Sequence, residues 1–403
     1  MTSSAGELDG RWRQAIAYAI VPASILYGIL SGFRLPSRWA TTNLIFDYHF
    51  GFTKRGLFGE LLAFLKTPPY TYPFLAAIAY GIFLVSLGLL VYYFRKGRAV
   101  SIRALLLFAG FFTSVGFVFL VHEVGYLDHI GLLLALICVL LGPGYAGVCV
   151  RLALCALGIL VHEAFMLLFL PAVLADLWLV ARPLGARESM LRVLIVAVPC
   201  ILLAVHMGRY KAEVAQSVQI AYYNAKLSDS TIREDAIDPL HLSLSDNLQV
   251  MADFYQSPKY LRIFVSTVVV AAPLVIFYLW IVSSILTEAG VAFLPRLILV
   301  AVGVSPLALN IFAWDEVRFI SLTQVTSFLL VLSVTRRMGW RAIDASRFRE
   351  LGVLAVALIA LNLGSEVTLF DGYVMQKFPF TQDLRSFVKA AGGSAPLVRA
   401  PIN

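Results

Sequence analysis

The sequence predicts an all-α, polytopic transmembrane helical bundle of about eleven spans, with interfacial helices in its longer loops. Three observations predict it. Hydrophobic residues make up 60% of the 403 residues and charged residues only 14%, where a soluble domain carries about 25% charged. The apolar residues fall in runs long enough to span a bilayer, which takes roughly 20 residues. The basic residues, which give a formal charge of +8, sit in short clusters between those runs. That is the pattern of membrane topology signals rather than of a nucleic-acid groove.

The runs place spans near 14–32, 72–93, 104–121, 129–143, 148–162, 164–181, 192–207, 261–284, 293–313, 318–335 and 350–367. Those at 129–143, 148–162 and 192–207 are short, so they are expected to be tilted, broken or re-entrant. The first twelve residues are polar, and the run after them lacks a small-residue cleavage site, so it reads as a first span with a cytoplasmic N-terminus. Cys138, Cys149, Cys155 and Cys200 lie in apolar segments without a CxxC pair and read as packed thiols.

Orientation follows from arginine and lysine. Arg95, Lys96, Arg98 and Arg103 flank one turn, Arg182, Arg187 and Arg192 a second, and Arg336, Arg337, Arg341, Arg347 and Arg349 a third. The positive-inside rule makes these short loops cytoplasmic. The segment 148–181 must then be two spans rather than one, because only two bring the Arg182–Arg192 loop inside. The transmembrane domain is 1–367. Its first loop 33–71, its long loop 208–260 and a tail 368–403 are non-cytoplasmic, in a multi-pass protein of the cell inner (plasma) membrane. Most of the carboxylates and all six histidines (His49, His122, His129, His162, His206 and His241) fall at that face.

Ionisable groups at membrane depth are functional candidates by default, and four clusters converge on this face. The first runs Asp47-Tyr48-His49-Phe50-Gly51-Phe52-Thr53-Lys54-Arg55-Gly56 and reaches Glu60. Its aromatics suit the headgroup level. Lys54 and Arg55 suit a phosphate, the one as a point charge and the other as a bidentate fork, with His49 beside them and Asp47 within loop reach. The second is His122-Glu123-Val124-Gly125-Tyr126-Leu127-Asp128-His129, four titratable groups in eight residues. It is suited to bind a sugar or a divalent metal such as Mg or Mn, or to act as acid and base; its spacing is not the zincin HExxH. The third is His162-Glu163, which repeats the Val-His-Glu triplet of 121–123 forty residues later. The fourth is Trp314-Asp315-Glu316-Val317-Arg318, where Arg318 is placed to grip a phosphate or carboxylate beside Asp315 and Glu316. The loop 208–260 carries Arg209, Lys211, Tyr222, Tyr223, Lys226, Arg233, His241 and Tyr255, and predicts an interfacial helix near 208–227.

Asp47 with its basic and aromatic neighbours, the approach Pro68-Pro69-Tyr70-Thr71-Tyr72-Pro73, Asp128 opening a Leu-rich helix, His162-Glu163 before a run to Pro171, and Arg318-Phe319 opening a late span stand together in this layout. It resembles the GT-C superfamily of polytopic glycosyltransferases, with the related polysaccharide polymerases and O-antigen ligases. The resemblance implies a polyprenyl-phosphate or diphosphate sugar donor, a glycan or lipid acceptor, and a role in cell-envelope polysaccharide or glycolipid biosynthesis beside partners of that pathway. It also implies a catalytic carboxylate in the first loop, hence Asp47; the family often has paired acids there, where this chain has Asp47 and a distant Glu60. Glu123 and Asp128 are the other catalytic candidates. A lipid or solute transporter or flippase, and a non-enzymatic envelope assembly subunit, are the alternatives. A transporter would place charge near the midplane, whereas these charges sit at helix ends.

Overall fold

A computed structural model describes residues 19–96, 102–313, 315–338 and 351–364. Its helices, in chain order, are α1 (Ala19–Gly32), α2 (Arg38–Leu44), α3 (Gly56–Leu65), α4 (Tyr72–Lys96), α5 (Ile102–Phe112), α6 (Val115–His122), α7 (Asp128–Leu140), α8 (Tyr145–Val161), α9 (Phe165–Leu168), α10 (Leu170–Ala181), α11 (Ala186–Arg209), α12 (Gln216–Ala225), α13 (Asp238–His241), α14 (Leu244–Phe254), α15 (Pro258–Glu288), α16 (Phe293–Val302), α17 (Glu316–Met338) and α18 (Leu351–Gly364). Among the described residues β pairing is limited to one bridge, Tyr70 with Leu227. The expected tail 368–403, the start of the first expected span, and Arg98, Arg341, Arg347, Arg349 and Trp314 lie outside the described residues.

Among the described residues four segments are long and apolar enough to cross a membrane: Tyr72–Tyr93 of α4, α11, α15 and α17. Two bent pairs raise the number to six if each is one span. These are α5 with α6, bent by 47°, and α16 with the 3-10 segment Ser305–Ile311, bent by 58°. The other expected spans coincide with shorter helices, α1, α7, α8, α9–α10 and α18. The expected short span 192–207 is corrected: α11 has 24 residues. Its first turns carry Glu188 and Arg192, paired at 3.3 Å one turn apart, so an apolar window misses them while the helix continues.

The helix breaks are organised around α17. Its spanning window is 94% buried, yet it is rich in hydroxyl and amide side chains. A buried backbone carbonyl without a partner is costly where no water reaches it, and α17 supplies the partners. Gln324 Oε1 accepts from Gly116 N at 2.6 Å, in the first turn of α6, and its amide donates to Ala271 O near Pro273 of α15. Ser327 donates to Gly303 O where α16 ends, and Thr326 to Leu168 O where α9 gives way to α10, at 2.9 and 2.8 Å. From α18, Asn362 donates to Gly110 O at 3.0 Å beside the α5–α6 bend.

Arg151 of α8 and Asp176 of α10 lie about three turns on either side of the His162–Glu163 break, yet meet at 3.0 Å, so these two helices form a hairpin. The bundle therefore has two chemically distinct ends. One collects arginines: Arg151 and Arg337 face Asp176, Arg336 donates to Leu140 O, Arg182 to Ala289 O, and Arg192 to Pro143 O. The other collects the histidines and is covered by a cap.

The cap is made by the two long loops folding on each other. Ile45, Phe46, Tyr70, Tyr223, Ile237 and Leu240 share a core, and Tyr70 exchanges backbone hydrogen bonds with Lys226 and Ser228 at 2.7 and 3.0 Å. The helix expected near 208–227 is α12. Helix α14 opens with a capping box in which Ser243 and Asp246 serve each other's backbone amides, and Lys211 meets Asp246 at 2.6 Å. Lys211 and Ser243 hold the Asp246 carboxyl down to about 2. A depressed carboxyl contributes above its unfolded value, near 4, and that contribution is lost as pH falls toward 2. Amide exchange protection in the first turn of α14 is thus expected to drop between pH 4 and 2, and Asp246→Ala to remove it already at pH 6. Equal protection in the variant at pH 6 would refute the cap's role.

Candidate functional site

The histidine end holds a linear array of arginine, carboxylate and histidine side chains. Asp128 opens α7 and is 2% exposed. Arg318, in the first turn of α17, meets it through two parallel bonds, Nε–Oδ2 at 2.6 Å and Nη2–Oδ1 at 2.8 Å, the fork geometry that gives the strongest charged hydrogen bonds. His162, at the C-terminal cap of α8, places Nε2 at 2.6 Å from Arg318 Nη2 and Nδ1 at 3.3 Å from Glu163 Oε2. Glu163 takes Arg55 Nη2 at 2.6 Å and Nε at 3.2 Å, and Arg55 Nη1 donates to Asn43 Oδ1 at 3.3 Å. Asp315 stands 3.7 Å from Arg318 Nη1. The array runs Arg55, Glu163, His162, Arg318, Asp128.

This array borders a small half-open cleft lined by Arg55, His162, Arg318, Asn43, Trp39, Ala40, Tyr126 and Leu127. Two guanidinium groups therefore face one small space with aromatic walls. The Arg318 guanidinium also lies over the Tyr126 ring, 5.5 Å from its centre. Arg55 reaches the cleft from a backbone with φ 63°, the left-handed region. A residue with a Cβ is rarely held there without cause.

The expected second cluster is divided. Asp128 belongs to the array. His122 and Glu123 face Arg34 instead, at 2.8 Å and 3.6 Å, all three buried. His129 sets its two ring nitrogens beside backbone carbonyls, Leu120 O at 2.7 Å and Tyr126 O at 3.1 Å. It closes the turn between α6 and α7 and does not line the cleft. The two Val-His-Glu triplets have matching local roles: each ends a helix and sets a histidine and a glutamate against arginine.

The first cluster also separates. Asp47 does not face Lys54 and Arg55. It receives Lys226, the Tyr222 hydroxyl at 2.9 Å and the His49 amide at 3.3 Å, and the His49 ring stacks on Tyr222 at 4.1 Å. Burial and the Asp47 carboxylate push the Tyr222 phenol up, so it stays a donor. Lys54 is buried and donates to Leu242 O at 2.5 Å; burial pushes its ammonium down. It ties the first loop to the start of α14 rather than presenting a charge to the cleft. Glu316 is fully buried, with no hydrogen-bond partner among the described residues.

Among the described residues, no three His, Cys, Asp or Glu side chains come together as a metal set. The carboxylates of the array each face a guanidinium. Arg34 and Asn43 were not singled out by sequence. Arg34, directly after the first span, carries the same signal as Arg318, an ionisable group at a span end. No protein-family model, curated protein or solved structure matches this chain.

Proposed function

We propose that this chain is a GT-C-like membrane glycosyltransferase. It transfers a sugar or glycan from a polyprenyl phosphate or diphosphate carrier to a glycan or lipid acceptor at the non-cytoplasmic face of the inner membrane, in envelope polysaccharide or glycolipid assembly. The observation that carries this reading is the convergence of Arg55 and Arg318, each braced by a carboxylate, on one aromatic-walled cleft. Guanidinium groups fixed in advance where negative charge develops stabilise a departing phosphate without reorganising during the reaction. The cleft lies at the end opposite Arg182, Arg192, Arg336 and Arg337, which the positive-inside rule puts in the cytoplasm.

In the reaction the acceptor oxygen bonds to the anomeric carbon, the bond from that carbon to the phosphate oxygen breaks, and the acceptor proton passes to a carboxylate. The three expected bases, Asp47, Glu123 and Asp128, have side chains only 10%, 8% and 1% exposed. Glu163 and Asp315 have side chains 28% and 30% exposed beside the same arginines, and in this reading one of them takes the proton. A transport reading gains nothing from the two bent helices, because Gln324, Ser327 and Asn362 fill the carbonyls and amide at their breaks.

Membranes from cells producing Glu163→Gln, Asp315→Asn or Arg318→Lys are to be assayed for glycan product. Arg318→Lys and one of the two carboxylate variants are expected to lose transfer by roughly 10²–10³-fold. Unchanged product in all three, or flux of an unmodified substrate into proteoliposomes, overturns the proposal.

A further inference from the structure

We infer that His162 is a positioning residue that holds Arg318 at the cleft through the lone pair of its neutral ring, and that a proton on that ring releases Arg318. This rests on the proposed function for its activity readout only. A guanidinium has hydrogens to give and no lone pair to accept with. The 2.6 Å contact between Arg318 Nη2 and His162 Nε2 therefore requires Nε2 to be bare. The ring's one hydrogen is then on Nδ1, which faces Glu163 Oε2 at 3.3 Å, closer than the Ala164 amide nitrogen at 3.5 Å. Both nitrogens are used in one tautomer, and that tautomer is uncharged.

A proton arriving at Nε2 turns this contact into two donors facing each other. A carboxylate oxygen close to it is Asp128 Oδ1, 3.7 Å from Nε2, which is bonded to Arg318 Nη2 at 2.8 Å. The imidazolium thus competes with Arg318 for Asp128 as well as repelling it. The charged and titratable groups around the ring are Glu163 beside it, Arg55 from the start of α3, Asp128 from α7, Arg318 and Asp315 from the start of α17, and Tyr126 under the Arg318 guanidinium.

Glutamine reproduces the neutral ring without its titration: the amide oxygen accepts from Arg318 and the amide nitrogen donates to Glu163. The test uses the full chain in detergent with sulfate as probe, since sulfate keeps its double charge between pH 5 and 8. In the native protein the sulfate-induced rise in unfolding temperature is expected to shrink by more than half from pH 7.5 to 5.5. His162→Gln should keep its rise unchanged over that range, and His162→Ala should show little rise at either pH. A native protein flat with pH, a glutamine variant that falls like the native protein, or an alanine variant that binds like it at pH 7.5 each overturn the inference. Nitrogen-15 spectra of histidine-labelled native protein give a check free of substitution: a ring at 162 protonated on Nε2 at pH 7.5 overturns it. If the sulfate pattern holds while no glycan transfer is found, the positioning role stands and the transferase reading fails.

Discussion

Replacing Arg318 with alanine is expected to destabilise the protein by about 3–5 kcal/mol, the usual result of removing one partner of a buried ion pair. The reason is what remains. Asp128 is 2% exposed and takes both of its short charged bonds from Arg318, so the single change leaves a carboxylate with no water to reach. His162 at 3.7 Å is a poor substitute while its ring is neutral. Adding Asp128→Asn should recover most of the lost stability, because removing both charges costs far less than stranding one. Transfer activity should not recover, since the guanidinium at the cleft is still gone. Unfolding temperatures of the two single variants and the double variant, read as a cycle, decide this. If the double variant unfolds no later than Arg318→Ala, the stranded carboxylate is not the cause. If it regains glycan transfer, Arg318 does not act on the substrate. Lysine at 318 is the finer probe. It keeps the charge, but one ammonium cannot make two parallel bonds to Asp128 and also reach His162.

The helical segments of this bundle were legible because apolar length is a one-dimensional signal. So was the clustering of histidines at one end: His49 on Tyr222, His206 near Phe52 and His241 on Gln219 all belong to the capped end with His122, His129 and His162. The breaks were not legible. What decides whether a run such as 102–122 is straight or bent is whether another helix offers a donor or acceptor at the bend, and Gln324 lies some 200 residues away. Partner choice was hidden for the same reason. Proximity along the chain joined Asp47 to Lys54 and Arg55, and His122 to Asp128. The fold instead brings Lys226 to Asp47, Arg34 to His122, and Arg318 to Asp128. Of the residues the sequence singled out, Arg55, His162 and Arg318 line the cleft; His162 and Arg318 each stand at the end of an apolar run, where a charge needs a reason to be.

Arg55 carries the second large effect, and here stability and activity should part. Its φ of 63° is a conformation that costs a residue with a Cβ roughly 1–2 kcal/mol and costs glycine nothing. The chain has glycines at hand on either side. Gly51 takes φ 88° in the preceding turn, and at Gly56 a Cβ would lie 2.7 Å from the Tyr48 ring, so glycine at 56 is needed for space. Position 55 itself is filled by arginine, whose side chain bonds Glu163 and Asn43 at the cleft. The backbone strain is thus borne for that guanidinium. Arg55→Ala and Arg55→Gly delete the same ion pair, but only glycine also relieves the backbone. The glycine variant is therefore expected to be more stable than the alanine variant by about 1 kcal/mol, while both lose transfer by roughly 10²-fold or more. Denaturant midpoints in one detergent, set beside product formed in membranes, test both halves. A glycine variant no more stable than alanine shows that the left-handed backbone at 55 is not strained. A glycine variant that still transfers shows that the strain is held for something other than the cleft.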